Sequence, residues 1–324
     1  MFKKFHLSFK ITKIILEGIL TILLILACIF WSHIGDNILL YMLYCVSLLC
    51  YLYFLFYKKK LLISLLFFAI SVILWAQQEA KHDRVWVDYQ SKLPIVSIED
   101  NIIHVKNVRR DLRYIKGESL NWINKSYDLN KLSEVRFALV NLSTWKGIAH
   151  VFLSFNFSNQ EFLSVSGEIR REFDETYSPF KGLFHQYEMM IVLGTEKDLI
   201  GLRISEHKDP ITFYPLNMSN NNIKKLLLNL LKDCQEIDKE PRFYNTLTNN
   251  CATLIHNHLH TIYGKSYHTD LRLIFPGYTD SIAWSENLIL PKGDFEETKR
   301  SYLINNLADF SLSGNAWSIK IRGH

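Results

Sequence analysis

The sequence predicts three N-terminal transmembrane helices over residues 1–78, followed by one outward-facing α+β domain over residues 79–324, with an antiparallel sheet and packed helices. Three observations predict it. Residues 14–76 are almost entirely apolar, whereas the rest of the chain carries mixed charge. Lysines alternate between the ends of the apolar stretches. Downstream, several period-two segments precede two segments of helical spacing. The 324 residues are 48% hydrophobic with net charge +5, but that average blends two unlike regions. No dense basic stripe with interleaved aromatics is present, so nucleic acid is not an expected partner.

The apolar stretches run from Ile14 to Trp31, Ile38 to Tyr57 and Leu61 to Ala76. A spanning helix takes roughly 17–25 residues, and flanking residues complete the two shorter stretches. Helices are expected because lipid offers the backbone no hydrogen-bond partners. Lys3, Lys4, Lys10 and Lys13 precede the first stretch, the linker "SHIGDN" has no Lys or Arg, and Lys58–Lys60 follow the second. This alternation puts the N-terminus inside and the chain from Gln77 onward outside. Trp31, Trp75 and the tyrosines between Tyr51 and Tyr57 suit the membrane interface. A cleaved signal peptide fits less well, because no small-residue cleavage site follows and two more apolar stretches come at once. Glu17, near the cytoplasmic end of the first stretch, is expected to snorkel to water.

In the outward domain, "QQEAKHDRVWVDYQSKLP" reads as a connector and "PIVSIEDNIIHVKNVRRDLRY" as short strands around a turn. "EVRFALVNLS" alternates as a strand, and "GIAHVFLSFNF" and "EFLSVSGEIRR" read as a hairpin across "SNQ". "MMIVLG", "DLIGLRIS" and "ITFYPL" read as further strands. Ile223, Leu226, Leu227, Leu230, Cys234 and Ile237 recur at helical spacing behind Ser219, a plausible cap. A second helix is expected after Asn249 or Asn250, followed by "DLRLIFPGYTDSIAW" and a polar, partly helical tail.

Five cysteines are present, three of them in the apolar region, so neither a disulfide framework nor a zinc pattern is expected. Cys234 lies on the apolar stripe of its helix and reads as core. Cys251 leaves two readings open. It is a small core residue, or a nucleophile in the first turn of a helix, where exposed N–H groups and the dipole stabilise a thiolate. A nucleophile needs a base. His6, His33 and His324 lie at the wrong ends of the chain, and His104, His185, His207 and His268 fall in loop-like contexts. His256, His258 and His260 share the cysteine's helix; without partner acids they read as a solvated face rather than a metal site. His150 sits on a strand and shares a face with Phe152 and Ser154, either as a satisfied core histidine or as a base opposite the cysteine. The adjacent strand offers Ser164, Ser166, Glu168 and Arg170 on one alternation, and Glu168 is the preferred orienting group because a carboxylate stabilises an imidazolium. No GxSxG, HExxH or GxGxxG motif is present, and "YGKS" lacks the upstream glycine of a phosphate loop. No cofactor or metal is called for.

The outward half resembles the Lnb N-terminal periplasmic domain family. The residues that carry the likeness are "GIAHVFLSF", "SVSGEIRRE", "YSPFKGLFHQYE", "LIGLRI", "FYNTLTNNCATLI" and "RLIFPGY", in the family's order and over nearly all of residues 80–300. The resemblance implies a permuted papain-like fold with histidine before cysteine, an order shared with lecithin:retinol acyltransferase. It implies a bacterial inner-membrane protein with its catalytic domain on the periplasmic side, related to lipoprotein N-acyltransferases of the Lnb type. It supports Cys251 and His150 as the catalytic pair, with Glu168 at a motif position and Asn250, Tyr244 and Arg170 as site support. The implied reaction moves an acyl chain from a phospholipid donor, through a cysteine thioester, to a lipoprotein acceptor. The Cys251 N–H, with the Asn250 side chain, is the expected oxyanion donor. Two other readings are a cysteine amidase or peptidase with the same dyad and a non-catalytic membrane-anchored binding domain.

Overall fold

A computed structural model describes residues 2–31, 37–265, 270–312 and 314–323. The linker residues 32–36, with His33, and His268 and His324 lie outside the described residues. The chain divides into two compact units, one of residues 1–81 with 177–187 and one of residues 82–176 with 188–324.

The first unit holds helices α1 (Phe2–Ile29), α2 (Ile38–Leu52) and α3 (Leu61–Ala76). Among the described residues two segments are long and apolar enough to cross a membrane, Ile11–Ile29 and Ile38–Tyr57. The third, at 16 residues, falls short of the usual span of roughly 20. Most apolar side chains on these segments face outward, Ile14, Ile22, Leu39 and Leu49 among them. That is the reverse of a soluble core helix and fits an apolar surrounding. The polar groups inside pair with each other. Tyr44 donates to the Leu24 carbonyl at 2.6 Å, and Ser71 donates to Ser47 at 2.9 Å. Glu17 pairs with Lys13 one turn earlier at 3.5 Å.

The second unit is built on an eight-stranded open sheet. Its strands are β1 (Ile95–Glu99), β2 (Ile102–Asp111), β3 (Leu120–Asp128), β4 (Leu132–Asn141), β5 (Ala149–Phe157), β6 (Glu161–Arg170), β7 (Glu188–Gly194) and β8 (Ile211–Pro215). The order is β1-β2-β7-β6-β5-β4-β8, with β3 paired to β2. Every pairing is antiparallel except β2 with β7, which run parallel at Arg109 and Gly194. The domain is therefore an α/β unit with a mostly antiparallel sheet, and that one parallel pairing joins the sheet's two antiparallel halves. Asp100 and Asn101 both take positive φ, the signature of a tight β1–β2 hairpin.

Two segments depart from the expected pattern. "DLIGLRIS" is helical rather than a strand, with a wide turn over Lys197–Gly201 leading into α4 (Leu202–Ser205). Ile200 and Ile204 are spaced one helical turn apart and, with Leu199, fill one core. β3 escapes the pattern because most of its residues are only half-buried or exposed, so it lacks a clean apolar alternation. His104 lies within β2, bonded to Ser126 at 2.8 Å, rather than in a loop.

Helices cover both faces. On one face α5 (Asn220–Lys239) and α6 (Cys251–Tyr263) pack on Val151, Leu153, Val165 and Ile191. Leu226 and Leu227 of α5 are wholly buried, and Cys234 joins the same core. Ser219 caps α5 through Asn222 N–H. On the other face α4 and α9 (Gly314–Ile321) pack on Val140, Phe152, Val192 and Phe213, with Trp317 at the centre. Helices α7 (Thr279–Ser285) and α8 (Phe295–Ser301) follow α6 in the chain.

The loop leading into β5 is clasped by the turn before α7. Gly277 N–H donates to the Gly147 carbonyl, and a Cβ at Gly277 would lie 1.6 Å from the Lys146 carbonyl oxygen. Only backbone fits there, and backbone cannot yield as a side chain can. Replacing Gly277 with alanine is expected to part the two loops and cost about 1–3 kcal/mol. Thermal unfolding of the detergent-solubilised chain measures this, and an unchanged midpoint would refute the clasp.

Candidate functional site

Three asparagines build the loop that presents Cys251. Asn245 Oδ1 accepts from the Leu247 and Thr248 N–H groups at 2.9 and 3.1 Å, and Asn249 Nδ2 donates to the Phe243 carbonyl at 2.8 Å. Asn250, 2% exposed, is the N-cap of α6. Its Oδ1 accepts from Ala252 and Thr253 N–H at 2.8 and 2.9 Å, while Thr253 Oγ1 accepts from Asn250 N–H at 2.8 Å. This is a reciprocal capping box. Asn250 Nδ2 donates to the Thr246 carbonyl at 2.7 Å, so its amide is committed to shaping the loop. Gly264, at φ +71°, ends the helix and donates to the His260 carbonyl.

Cys251 is thus the first residue of α6 and is 4% exposed. The backbone N–H groups of Val151, Ala252 and Cys251 itself favour its thiolate form. The Val151 N–H is free for this because the β5–β6 ladder runs from Phe157↔Glu161 only as far as Leu153↔Val165. Beyond Leu153 the strands part, and the sulfur sits at the parting. Gly167 of β6 lets α6 approach: a Cβ there would lie 3.7 Å from Cys251 Cα and 2.8 Å from Leu254 Cδ2. Burial pushes the thiol up to about 11, with the three N–H groups working against it. The resting sulfur is a protonated thiol.

His150 is half-buried and lies at the same parting, but its side chain is on the other face of the sheet, its ring 5.9 Å from that of Phe152. Its Nε2 is 2.8 Å from Ser166 Oγ. Continuing the hairpin register would set His150 opposite Glu168, with Ser166 as the diagonal neighbour. Burial pulls the imidazole down to about 4, with the Glu168 charge opposing and Arg203 and Arg109 adding to the shift. The ring is neutral at physiological pH. No hydrogen bond joins His150 to the Cys251 thiol among the described residues.

Glu168, 18% exposed at its side chain, pairs with Arg109 Nη1 at 3.4 Å. Burial alone would raise its pKa, but Arg109, His150 and Arg203 hold the carboxyl below its ordinary range. Arg109 is buried and its Nε and Nη2 both donate to Asp198, at 3.0–3.2 Å. Those carboxylates outweigh burial and raise its pKa. Glu168 is thus anchored by a fixed cation and lends its negative field to the His150 ring.

The remaining expected residues fall elsewhere. Arg170 donates to the Gln90 and Ser91 carbonyls at 3.0 Å and lies 4.2 Å over the Trp86 ring, so it ties the segment entering the domain to β6. Tyr244 packs against the core under α5 and α6. The helix histidines do not form a solvated face: His256 is 7% exposed, and His258 bonds Asp233 at 3.0 Å. Ser166 is the hydrogen-bond partner that sequence reasoning passed over in favour of Glu168, although it shares that alternation and is the diagonal neighbour of His150. Among the described residues no group of three or more His, Cys, Asp or Glu side chains gathers as a metal site.

Fold and site together define an α/β domain that presents one cysteine at a helix start, on a chain with apolar N-terminal helices. The chain belongs to the Lnb N-terminal periplasmic domain family, whose model matches residues 118–280, just over half of the sequence. That match runs from just before β3 into α7, narrower than residues 80–300, and it includes Cys251, His150, Ser166 and Glu168. No curated protein and no solved structure matches the chain. With two apolar helices ahead of a periplasmic family domain, this is a membrane-anchored protein with a periplasmic domain.

Two outcomes test the site. Alkylation of Cys251 by iodoacetamide, followed by peptide mass spectrometry, should accelerate roughly tenfold per pH unit from pH 7 to about pH 10, as a raised thiol pKa requires. A plateau below pH 9 would contradict the buried, protonated thiol. Asn250→Ala should lower stability by about 1–2 kcal/mol through loss of the cap, read from the urea midpoint.

Proposed function

We propose that this protein is a membrane-bound cysteine acyltransferase. It moves an acyl chain from a phospholipid, through a thioester on Cys251, to the α-amino group of diacylated bacterial lipoproteins. One observation carries the reading: a thiol at the capped start of α6, its thiolate favoured by the backbone N–H groups of Val151, Ala252 and Cys251, beside the strand that bears His150. The family and the apolar helices support a substrate pair that lies in the membrane, and three spans in the inner membrane would keep the domain at its periplasmic surface.

In this mechanism Ser166 holds His150 Nε2, leaving Nδ1 to take the thiol proton at the parted strands. A neutral imidazole is the form a base needs, and burial keeps it neutral. The sulfur attacks the ester carbonyl, and the N–H groups at the start of α6 stabilise the oxygen that gains charge. Glu168 stabilises the imidazolium, which then protonates the departing lysophospholipid oxygen. The lipoprotein amine attacks the thioester, its proton passes to His150, and Cys251 is released.

Cys251→Ser should lower acyl transfer more than roughly a thousandfold, and His150→Ala by roughly a hundredfold or more, with folding retained. Mass spectrometry of lipoprotein N-termini in cells with and without the gene reads the product. Full N-acylation in cells that lack this protein and any redundant enzyme would rule out the transferase. Hydrolysed lipid without N-acylated product would point to water as the acceptor.

A further inference from the structure

An open apolar groove runs along α6 in the second unit, with an empty volume of about 840 Å³. Val151 and Ala252 line it, and their backbone N–H groups are among those that favour the Cys251 thiolate. Ile255 and Leu259 of α6 and Ile282 and Ala283 of α7 form its walls. It follows α6 from Ala252 to Tyr263, about 17 Å at the helical rise of 1.5 Å per residue. Toward that end Lys265 and Glu286 pair with each other, so the two charges there satisfy one another. His256, His260 and Tyr263 are the other titratable side chains on the groove.

We propose that this groove holds the hydrocarbon chain of the acyl group while its carbonyl carbon is bonded to Cys251. The inference rests on the acyltransferase reading for the identity of the occupant, and on the groove's own geometry for its position. An extended peptide would need backbone partners along its length. The groove offers mainly side-chain hydrocarbon, which suits a single flexible chain. The groove begins at Val151 and at Ala252, the residue after Cys251, so a chain lying there can bring its carbonyl end toward the sulfur. Ala283, the smallest wall residue on α7, sets the free width.

The test uses the full chain carrying Cys251→Ala in lipid nanodiscs, with a long-chain fatty acid bearing a terminal diazirine as probe. Photolysis and peptide mapping should label residues between Ile255 and Leu288. Adding Ala283→Phe should cut that labelling at least about tenfold, the equivalent of losing roughly two buried methylenes. Labelling of Ile11–Ile29 should not change. Leu259→Trp, which narrows the groove from the α6 side, should act likewise, so the test does not depend on one variant. Absence of label between Ile255 and Leu288, or equal label in both narrowed variants, would overturn the proposal. The probe needs no thioester, so an inactive Cys251 would leave the labelling intact, and a failed groove would leave the nucleophile standing.

Discussion

The first turn of α6 meets the sheet where β6 has no side chain. At Gly167 the helix lies close to β6, and the Val151 N–H of β5, beyond the end of the β5–β6 ladder, favours the Cys251 thiolate. The rest of the site depends on this close approach. A helix one side chain further away would leave the thiol with only its own turn's N–H groups. An unbroken ladder would have spent the Val151 N–H on β6.

The other constraint is electrostatic. Arg109, Asp198, Glu168 and His150 form one polar group on the face of the sheet opposite α6, with Ser166 bridging to the ring. Removing charges from water is costly, and the bidentate Arg109–Asp198 pair offsets that cost by mutual attraction. Glu168 is ionised because Arg109 is fixed beside it. His150 stays neutral because burial outweighs the Glu168 field. The thiol and the imidazole therefore both rest uncharged, with the proton on sulfur. A nucleophile in this state is protected from modification and is activated when its proton is taken.

Much of the scaffold was legible in the sequence. α5 and α6 announced themselves by apolar spacing behind Ser219 and Asn250, and the β5–β6 hairpin by two alternating runs around "SNQ". These are local signals, set by residues within a turn of one another. "DLIGLRIS" misled because Leu199, Ile200, Leu202 and Ile204 satisfy both a period of two and a period near four, and the packing of Ile200 and Ile204 against Phe213 and Trp317 decided for the helix. β3 was silent because a half-exposed strand on β2 needs no apolar stripe. The helix histidines misled in another way. Their spacing spreads them around the helix, and only the packing of α6 shows that His256 turns inward.

By itself the sequence determined the apolar N-terminal helices, a start of α6 at Asn249 or Asn250 with Cys251 in its first turn, and the hairpin of alternating strands that carries His150 and Glu168. Each follows from hydrophobic period, cap chemistry or turn length, which act over a few residues. Only the tertiary structure decided that thiol and imidazole approach the parted strands from opposite faces, that Arg109 of β2 anchors Glu168 of β6, and that an apolar groove lined by Val151 and Ala252 runs along α6. Those features join residues about 60 to 130 positions apart, and they depend on how α6, α7 and β2 pack on the sheet, which no local pattern encodes.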